Sequence, residues 1–133
     1  MTRPPTAGWT TDELNRIGGT DELQVTSRRP DGSFRPYVTI WVVRAGRNLF
    51  VRSAYGPDNP WFRRAVASGV GRIRAGTLER DVTFSRPRTD DAGFHQAIDA
   101  AYHAKYDRYG PRFVGPLVGP GAADVTLVLD PQS

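Results

Sequence analysis

Runs of apolar residues divide this chain into six stretches that are typical of β-strands. The predicted strands cover 22–28, 37–44, 49–53, 69–75, 78–85 and 124–129. The run at 37–44 is β-branched and aromatic with little polarity, which is typical of a central strand buried on both faces. A tight turn joins it to the strand at 49–53, so we predict a β-hairpin at the centre of the sheet.

Three other stretches repeat their apolar residues every three or four positions, which indicates helices. The first is short: the hydroxyl of Thr10 or Thr11 can cap it, and Gly18-Gly19 ends it. The second begins at Pro60, with Asn59 as its cap. The third, at 90–109, is the longest and ends at a Gly-Pro pair.

These elements predict an α+β fold. Consecutive strands are joined by hairpins more often than by helical crossovers, so we expect a mainly antiparallel six-stranded sheet curled into a small barrel, with two short helices and one long helix packed outside. A chain of 133 residues suffices for one domain with one core, 1–133. Within it we expect a flexible lead at 1–8 and a Gly- and Pro-rich loop at 110–122.

Composition narrows the function classes. The chain has no Cys, which excludes disulfides, thiolate catalysis and Cys-based zinc sites. No apolar run reaches the roughly 20 residues of a membrane helix, and the N-terminus has no secretory pattern, so we expect a cytoplasmic protein without a membrane partner. The net charge of +4 comes from Arg residues spread along the chain, without the dense basic run of a nucleic-acid arm.

A candidate anion site surrounds the predicted turn before the second strand. Arg forks, hydroxyls and free amides are the groups that bind phosphate in proteins. The residues of these types are Arg28, Arg29, Ser33 and Arg35 at the turn, with Arg52 and Ser53 at the end of the return strand. The alternative interpretation is a solvated turn beside an exposed strand face.

The loop after the return strand is a second candidate. An aromatic residue beside a glycine, as in Tyr55-Gly56, lets the backbone approach a flat ring and offers a stacking face. Trp61 follows and either lines the same pocket or fastens its helix to the barrel. On the long helix, Tyr106 either donates a proton or hydrogen bond to a substrate or packs in the core.

Metal binding is not expected. His95, Asp99 and His103 share one face of the long helix, but the chain contains no third His and this face is the one expected to be wet. We therefore predict no metal site. Walker loops, Ser/His/Asp arrangements and paired carboxylate motifs are also absent from the sequence.

The order of these pieces resembles a known superfamily. A turn at 28–36, a return strand ending at 52–56 and an Asn-Pro-Trp helix start resemble the split β-barrel of the flavin- and deazaflavin-binding, pyridoxamine-phosphate-oxidase-like proteins. The deazaflavin-dependent nitroreductase type is the most similar. The Ala104-Lys105-Tyr106 end of the long helix also resembles theirs. From Trp9 to Leu129, the chain resembles a small uncharacterised actinobacterial family of this superfamily.

This resemblance implies an oxidoreductase that binds reduced deazaflavin or FMN and passes hydride to a small organic substrate. Phosphate would bind at the Arg28–Arg35 turn together with Arg52 and Ser53. The loop with Gly56 and Trp61 would run along the cofactor, while Tyr55 and Tyr106 would face the substrate. Split barrels of this group often pair, so a homodimer is also expected. The Gly-Arg-Lys-Ser-Gly turn of the nitroreductase type is not intact, and this departure motivates the alternative of a cofactor-free small-ligand binder, cyclase or isomerase.

Overall fold

The computed structural model describes residues 8–54, 56–88 and 90–132, and seven strands in this part of the chain form one antiparallel sheet. The strands are β1 (Leu23–Ser27), β2 (Val38–Ile40), β3 (Val43–Ala45), β4 (Asn48–Arg52), β5 (Val70–Ala75), β6 (Leu78–Ser85) and β7 (Thr126–Pro131). The helices are α1 (Thr11–Gly18), α2 (Pro60–Ser68), α3 (Ala92–Tyr106) and the single turn α4 (Pro111–Val114). Short 3₁₀ segments cover Asp107–Tyr109, Gly115–Leu117 and Pro120–Val125.

The strand order β2-β1-β5-β6-β7-β4-β3 requires the sheet to curl. β2 and β3 lie at opposite edges, yet only Trp41 and Val42 separate them in sequence. Because consecutive Cα atoms are about 3.8 Å apart, the two edges must approach within roughly 11 Å at this point. The sheet is therefore a half-barrel, and the expected α+β, mainly antiparallel architecture is confirmed.

The predicted number of six strands is wrong, because the segment 37–44 divides into β2 and β3. The chain leaves the sheet at Val42, whose N–H donates to the Tyr106 hydroxyl (3.1 Å) and whose carbonyl accepts from Lys105 Nζ (2.6 Å). These side chains of α3 replace strand partners. The segment is also not a central strand buried on both sides, since β2 and β3 are edge strands and Val38 is 38% exposed.

Two apolar cores hold the helices on the sheet. The larger core packs α1 and α2 against the strands and includes Trp9, whose indole N–H donates to the Leu129 carbonyl (2.8 Å). The second core lies between α3, β3 and β4, and includes Phe50, Tyr102 and Tyr106. The cores place α2 and α3 in contact with different parts of the sheet.

Local sequence signals account for the helix ends. Thr10 and Glu13 form a reciprocal capping box at α1, and the Asp91 side chain caps α3. Gly69 ends α2 with a φ of +74°, a left-handed conformation that favours glycine. No helix in the described ranges is long and apolar enough to cross a membrane.

The range 110–122, predicted as a loop, contains α4, the 3₁₀ segment Gly115–Leu117 and part of Pro120–Val125, and it buries Val114, Leu117 and Ala122. Prolines at 111, 116 and 120 occupy the first or second position of these helical turns, where the missing amide hydrogen costs no hydrogen bond within the helix. Of the predicted lead 1–8, only Gly8 lies in the described ranges.

Candidate functional site

An open groove of about 1160 Å³ lies between the turn that follows β1 and helix α2. Arginines dominate its lining: Arg28, Arg29, Arg35, Arg63, Arg64 and Arg86. None of the Asp or Glu side chains in the described residues lines it. We call this feature the arginine groove. A concave surface with this charge attracts anions and suits a ligand that carries phosphate or carboxylate.

Two of the arginines are fixed to the turn itself. Arg28 donates to the Gly32 carbonyl (2.7 Å), and its guanidinium stacks 4.1 Å above the ring of Phe34. Arg29 donates to the Phe34 carbonyl (2.9 Å). These contacts hold the turn in shape, but they leave fewer of the Arg28 and Arg29 donors for a ligand.

Ser33 is likewise engaged within the turn. Its backbone N–H and its hydroxyl both donate to Asp31 Oδ1, at 2.9 and 2.6 Å. The two bonds to Ser33 lower the pKa of the Asp31 carboxyl, because they favour its charged form. The Ser33 hydroxyl is therefore directed at a carboxylate of its own turn.

Three arginines of the groove remain unpaired. Within the described residues, the side chains of Arg35, Arg63 and Arg64 make no hydrogen bond or ion pair with the protein. Arg63 and Arg64 are exposed on α2, whereas Arg35 is half-buried and its Nε has neither a partner nor contact with solvent. These are the cations with free donors for an anionic ligand.

Two hydrogen bonds to β1 fix the backbone of Arg35. The Arg35 N–H donates to the Ser27 carbonyl (3.1 Å), and the Arg35 carbonyl accepts from Thr26 Oγ1 (2.5 Å). The position of this unpaired cation is thus set by a buried strand rather than by a loop.

The amino end of α2 adds a second source of positive potential. Asn59 makes no side-chain capping bond and the first turn contains no acidic residue, so the amides of this turn keep their free donor capacity. Pro57 and Pro60, which flank this end, line the arginine groove. The helix dipole therefore reinforces the charge of the arginines.

The predicted residues Arg52 and Ser53 lie elsewhere. The Arg52 side chain is fully buried and bonds Asp99 Oδ1 (2.5 Å), Thr126 Oγ1 (2.9 Å) and the Leu117 carbonyl (2.8 Å). It ties β4 to α3 and β7. The Ser53 hydroxyl donates to the Gly56 carbonyl (2.6 Å), which closes the loop after β4. None of these three predicted positions, Arg52, Ser53 and Gly56, lines the groove.

His95 lies beside the buried Arg52 side chain. Its Nε2 lies 2.6 Å from the Arg88 carbonyl, so Nε2 carries the hydrogen, and its Nδ1 faces Arg52 Nη2 at 3.4 Å. His103 is exposed and contacts Asp107 instead. No group of three or more His, Cys, Asp or Glu side chains converges within the described ranges.

Of the two predicted catalytic tyrosines, the structure describes only Tyr106. Tyr55 lies outside the described residues, and its role stays a prediction. Tyr106 is completely buried, and its hydroxyl donates to the Asp21 carbonyl (2.6 Å) while accepting from Val42 N–H. Burial raises the pKa of the Tyr106 phenol above its ordinary value. These contacts hold Tyr106 in the second core, and its catalytic role stays a prediction.

The groove is therefore lined by the predicted residues Arg28, Arg29 and Arg35 and by other arginines that the sequence analysis did not assign to a site. Trp61 is buried and packs with Phe62 in the larger core, beside the groove. The missed residues are Arg63, Arg64 and Arg86. An available signal was the consecutive Arg pair after the Pro-Trp-Phe helix start, at the positive end of a helix without acidic residues in its first turn.

Comparisons with known proteins place the chain in a family. The profile of DUF2255, described as "Uncharacterized protein conserved in bacteria", matches residues 13–129. The chain belongs to this family. No curated protein sequence matches this DUF2255 chain.

Solved structures similar to this DUF2255 chain share its fold at low sequence identity. HutZ, the heme storage protein from Vibrio cholerae, has a TM-score of 0.61 at 15% identity, over 92% of this chain and 90% of HutZ. An FAD-binding protein from Mesorhizobium loti has a TM-score of 0.56 at 14% identity, over 94% and 91%. An FAD- and heme-binding protein from Mycobacterium smegmatis has a TM-score of 0.52 at 17% identity, over 94% and 67%. The split-barrel resemblance is confirmed.

Proposed function

We propose that this DUF2255 protein binds a phosphate-bearing flavin or deazaflavin in the arginine groove. The observation that carries the proposal is the groove itself, which has six arginines and no acidic lining residue in the described part of the chain. Its volume is large enough for a tricyclic ring with a phosphate tail. The names of the similar structures from M. loti and M. smegmatis support a flavin-type ligand.

Within this proposal the protein's residues bind and orient the cofactor. Arg35, Arg63 and Arg64 supply unpaired cations, and the amino end of α2 supplies amides. Arg28 and Arg29 shape the turn and add positive potential. When bound, the reduced ring supplies a hydride for a small, electron-poor or unsaturated organic substrate. Tyr55 is proposed to border that substrate, while the buried Tyr106 supports the fold.

Heme is less favoured as the ligand of this groove. Heme iron is held in proteins by an axial side chain, most often His. The two histidines of the chain are His95, which is buried beside Arg52, and His103, which bonds Asp107. Neither lines the arginine groove.

A second candidate function is a cofactor-free small-ligand binder, cyclase or isomerase. The observation that favours it is the closed network of the turn, where Arg28, Arg29 and Ser33 already have protein partners. Such a turn offers less to a cofactor phosphate than the intact motif of the nitroreductase type. Under this candidate the groove would take an anionic organic substrate directly.

Titration of the purified protein separates the two candidates. The absorbance spectrum as isolated is recorded first, and FMN, FAD, coenzyme F420 and riboflavin are then titrated by fluorescence. We expect at least one phosphorylated cofactor to bind, with a loss of about 10-fold or more in affinity for the Arg63→Gln/Arg64→Gln double variant. Arg74→Gln, whose partner Glu79 lies on the sheet, is the control and should bind normally.

The oxidoreductase part of the proposal has its own measurement. The reduced form of the cofactor that binds is mixed with nitro-aromatic and unsaturated carbonyl compounds, and its oxidation is followed under anaerobic conditions. Binding without oxidation would favour a carrier or storage role. If none of the cofactors binds, the second candidate replaces the first.

A further inference from the structure

A small inner pocket adjoins the arginine groove and shares two of its lining residues. It has a volume of about 20 Å³ and is walled by Val25, Trp61, Ala65 and Phe84 of the larger core. Arg35 and Arg64 line both this pocket and the groove, so they stand at the junction of the two. A cavity of this size holds one oxygen-sized group, since a single water needs about 10–15 Å³ by this measure.

Two residues that line the inner pocket, Ser27 and Arg35, have side-chain polar atoms without protein partners in the described ranges. Arg35 Nε is buried without a hydrogen bond, and the Ser27 hydroxyl, on a residue only 5% exposed, has none within the described residues. Buried polar groups in folded proteins are almost always hydrogen-bonded, and exceptions commonly mark a bound water, ion or ligand. The side chains of Ser27 and Arg35 can therefore donate hydrogen bonds to an acceptor that enters the pocket.

We propose that Ser27, Arg35 and Arg64 form the seat of a terminal phosphate monoester. The inference rests on the proposed function in taking this phosphate to belong to the cofactor. One phosphate oxygen enters the inner pocket and accepts hydrogen bonds from the Arg35 guanidinium and the Ser27 hydroxyl. Arg64 pairs with the oxygens that remain in the groove. Arg28, Arg29 and Ser33, the residues expected from the turn, lie outside the seat.

The geometry favours a monoester over a diester. A terminal phosphate carries three acceptor oxygens, so one can be buried while two face Arg64 and the arginines of the groove. The phosphate of a diester has only two unesterified oxygens and carries a second substituent that must also be accommodated outside the narrow pocket. FMN is a monoester, whereas FAD has a diphosphate esterified at both ends and coenzyme F420 has a phosphodiester, so neither of the latter two offers a terminal phosphate. Among these cofactors, the seat selects FMN.

Affinities for FMN and riboflavin, which differ only by the phosphate, test the seat. Ser27→Ala should weaken FMN binding about 10-fold and Arg35→Gln about 100-fold, with riboflavin unchanged in both. Arg74→Gln, which removes an arginine outside both the groove and the inner pocket, is the control and should stay within about 2-fold of the parent. Because the Ser27 hydroxyl has no protein partner in the described residues, Ser27→Ala should also keep the parent melting temperature.

Phenyl phosphate, a monoester without a flavin ring, keeps this test separate from the proposed function. If no flavin binds but phenyl phosphate raises the melting temperature in the parent and not in Arg35→Gln, the proposed function is wrong and the seat stands. If FMN and riboflavin bind the parent equally, or FAD and F420 bind it more tightly than FMN, the seat is overturned while flavin binding stands. If Arg29→Gln loses more FMN affinity than Ser27→Ala, the phosphate binds at the turn and the seat is overturned.

Discussion

Trp41 and Tyr106 stack face to face, with ring centroids 4.0 Å apart and planes within 2° of parallel. The contact joins the end of α3 to the two-residue link between β2 and β3, where the sheet passes from one edge to the other. The Tyr106 hydroxyl at the same place bonds the Val42 amide and the Asp21 carbonyl. One aromatic side chain thus fixes the point at which the half-barrel curls.

Removing this hydroxyl should destabilise the fold. In Tyr106→Phe the buried Val42 N–H loses its acceptor, and an unsatisfied buried amide costs about 1–3 kcal/mol. Urea denaturation of the parent and the variant measures the difference in the free energy of unfolding. Tyr109→Phe is the matched control, because that phenol is 43% exposed and the change should cost less than about 0.5 kcal/mol.

Cofactor binding gives Tyr106→Phe a second readout. Because Tyr106 is buried away from the arginine groove, the folded variant should bind flavins like the parent. If the folded variant binds the reduced cofactor but the organic substrate no longer oxidises it, the catalytic role predicted for Tyr106 is supported.

The curl of the sheet shows what the sequence pattern could and could not reveal. Hairpins, caps and the long helix follow from local spacing, and their residues lie close to where the pattern put them. The division of 37–44 depends instead on Lys105 and Tyr106, more than 60 positions away, which satisfy the backbone of Val42. An apolar run contains no signal for such a distant hydrogen bond, so it was interpreted as one buried strand.

The candidate site was predictable to a similar extent. The Arg-rich turn at 28–35 does line a basic groove, as an accumulation of Arg near a turn suggests. Which arginines keep free donors depends on tertiary partners: Arg28 and Arg29 bond the turn, and Arg52 bonds Asp99 in the interior. Residue type alone cannot distinguish a free guanidinium from one that is already paired.

The buried pair of Arg52 and Asp99 provides a second stability prediction. The Arg52 side chain is 0% exposed and that of Asp99 is 25% exposed, so Asp99→Asn leaves a buried cation without a counter-charge. We expect a loss of about 3 kcal/mol in the free energy of unfolding. In Glu79→Gln, which disrupts exposed pairs with Arg72 and Arg74, the loss should be at most about 1 kcal/mol.

A double-mutant cycle with Arg52→Met gives the coupling between the two side chains. The double variant should lose less stability than the sum of the single variants, because no unpaired charge remains. Additive losses would show that Arg52 acts through Thr126 and the Leu117 carbonyl alone.

Gly71 on β5 should not tolerate a side chain. A Cβ there would lie 2.0 Å from the Thr26 carbonyl oxygen and 2.7 Å from the Phe84 ring, and both neighbours belong to buried strands. Gly71→Ala should therefore cost about 3 kcal/mol or leave the protein unfolded. Gly93→Ala on α3 meets nothing closer than 3.8 Å and should stabilise by about 0.5–1 kcal/mol, since alanine favours helix. Equal thermal stability of the two variants would contradict the packing described for β1, β5 and β6.

Lys105, the single lysine of the chain, should make stability depend on pH. Burial lowers the pKa of its ammonium from 10.5 to about 8, although Nζ donates to the Val42 carbonyl. Below pH 8 the group is charged in both states, and the folded state bears the cost of burying the charge. As the pH rises from 8 towards 10.5 the folded protein releases this proton first, the unfolded chain binds more protons, and stability increases.

Denaturation at a series of pH values measures this gain, with Lys105→Arg as the control because Arg stays charged throughout. The stability of the parent relative to Lys105→Arg should increase from about pH 7.5 to about pH 9.5. The range ends there because burial raises the pKa of Tyr102 and Tyr106, so tyrosines of the unfolded chain ionise first near pH 10 and lower stability in both proteins. Carbon-13 labelling of the single lysine follows the same proton directly by NMR. If the stabilities of the parent and Lys105→Arg change with pH in parallel, and the labelled lysine titrates at its ordinary pKa, Lys105 is hydrated and does not bond the Val42 carbonyl.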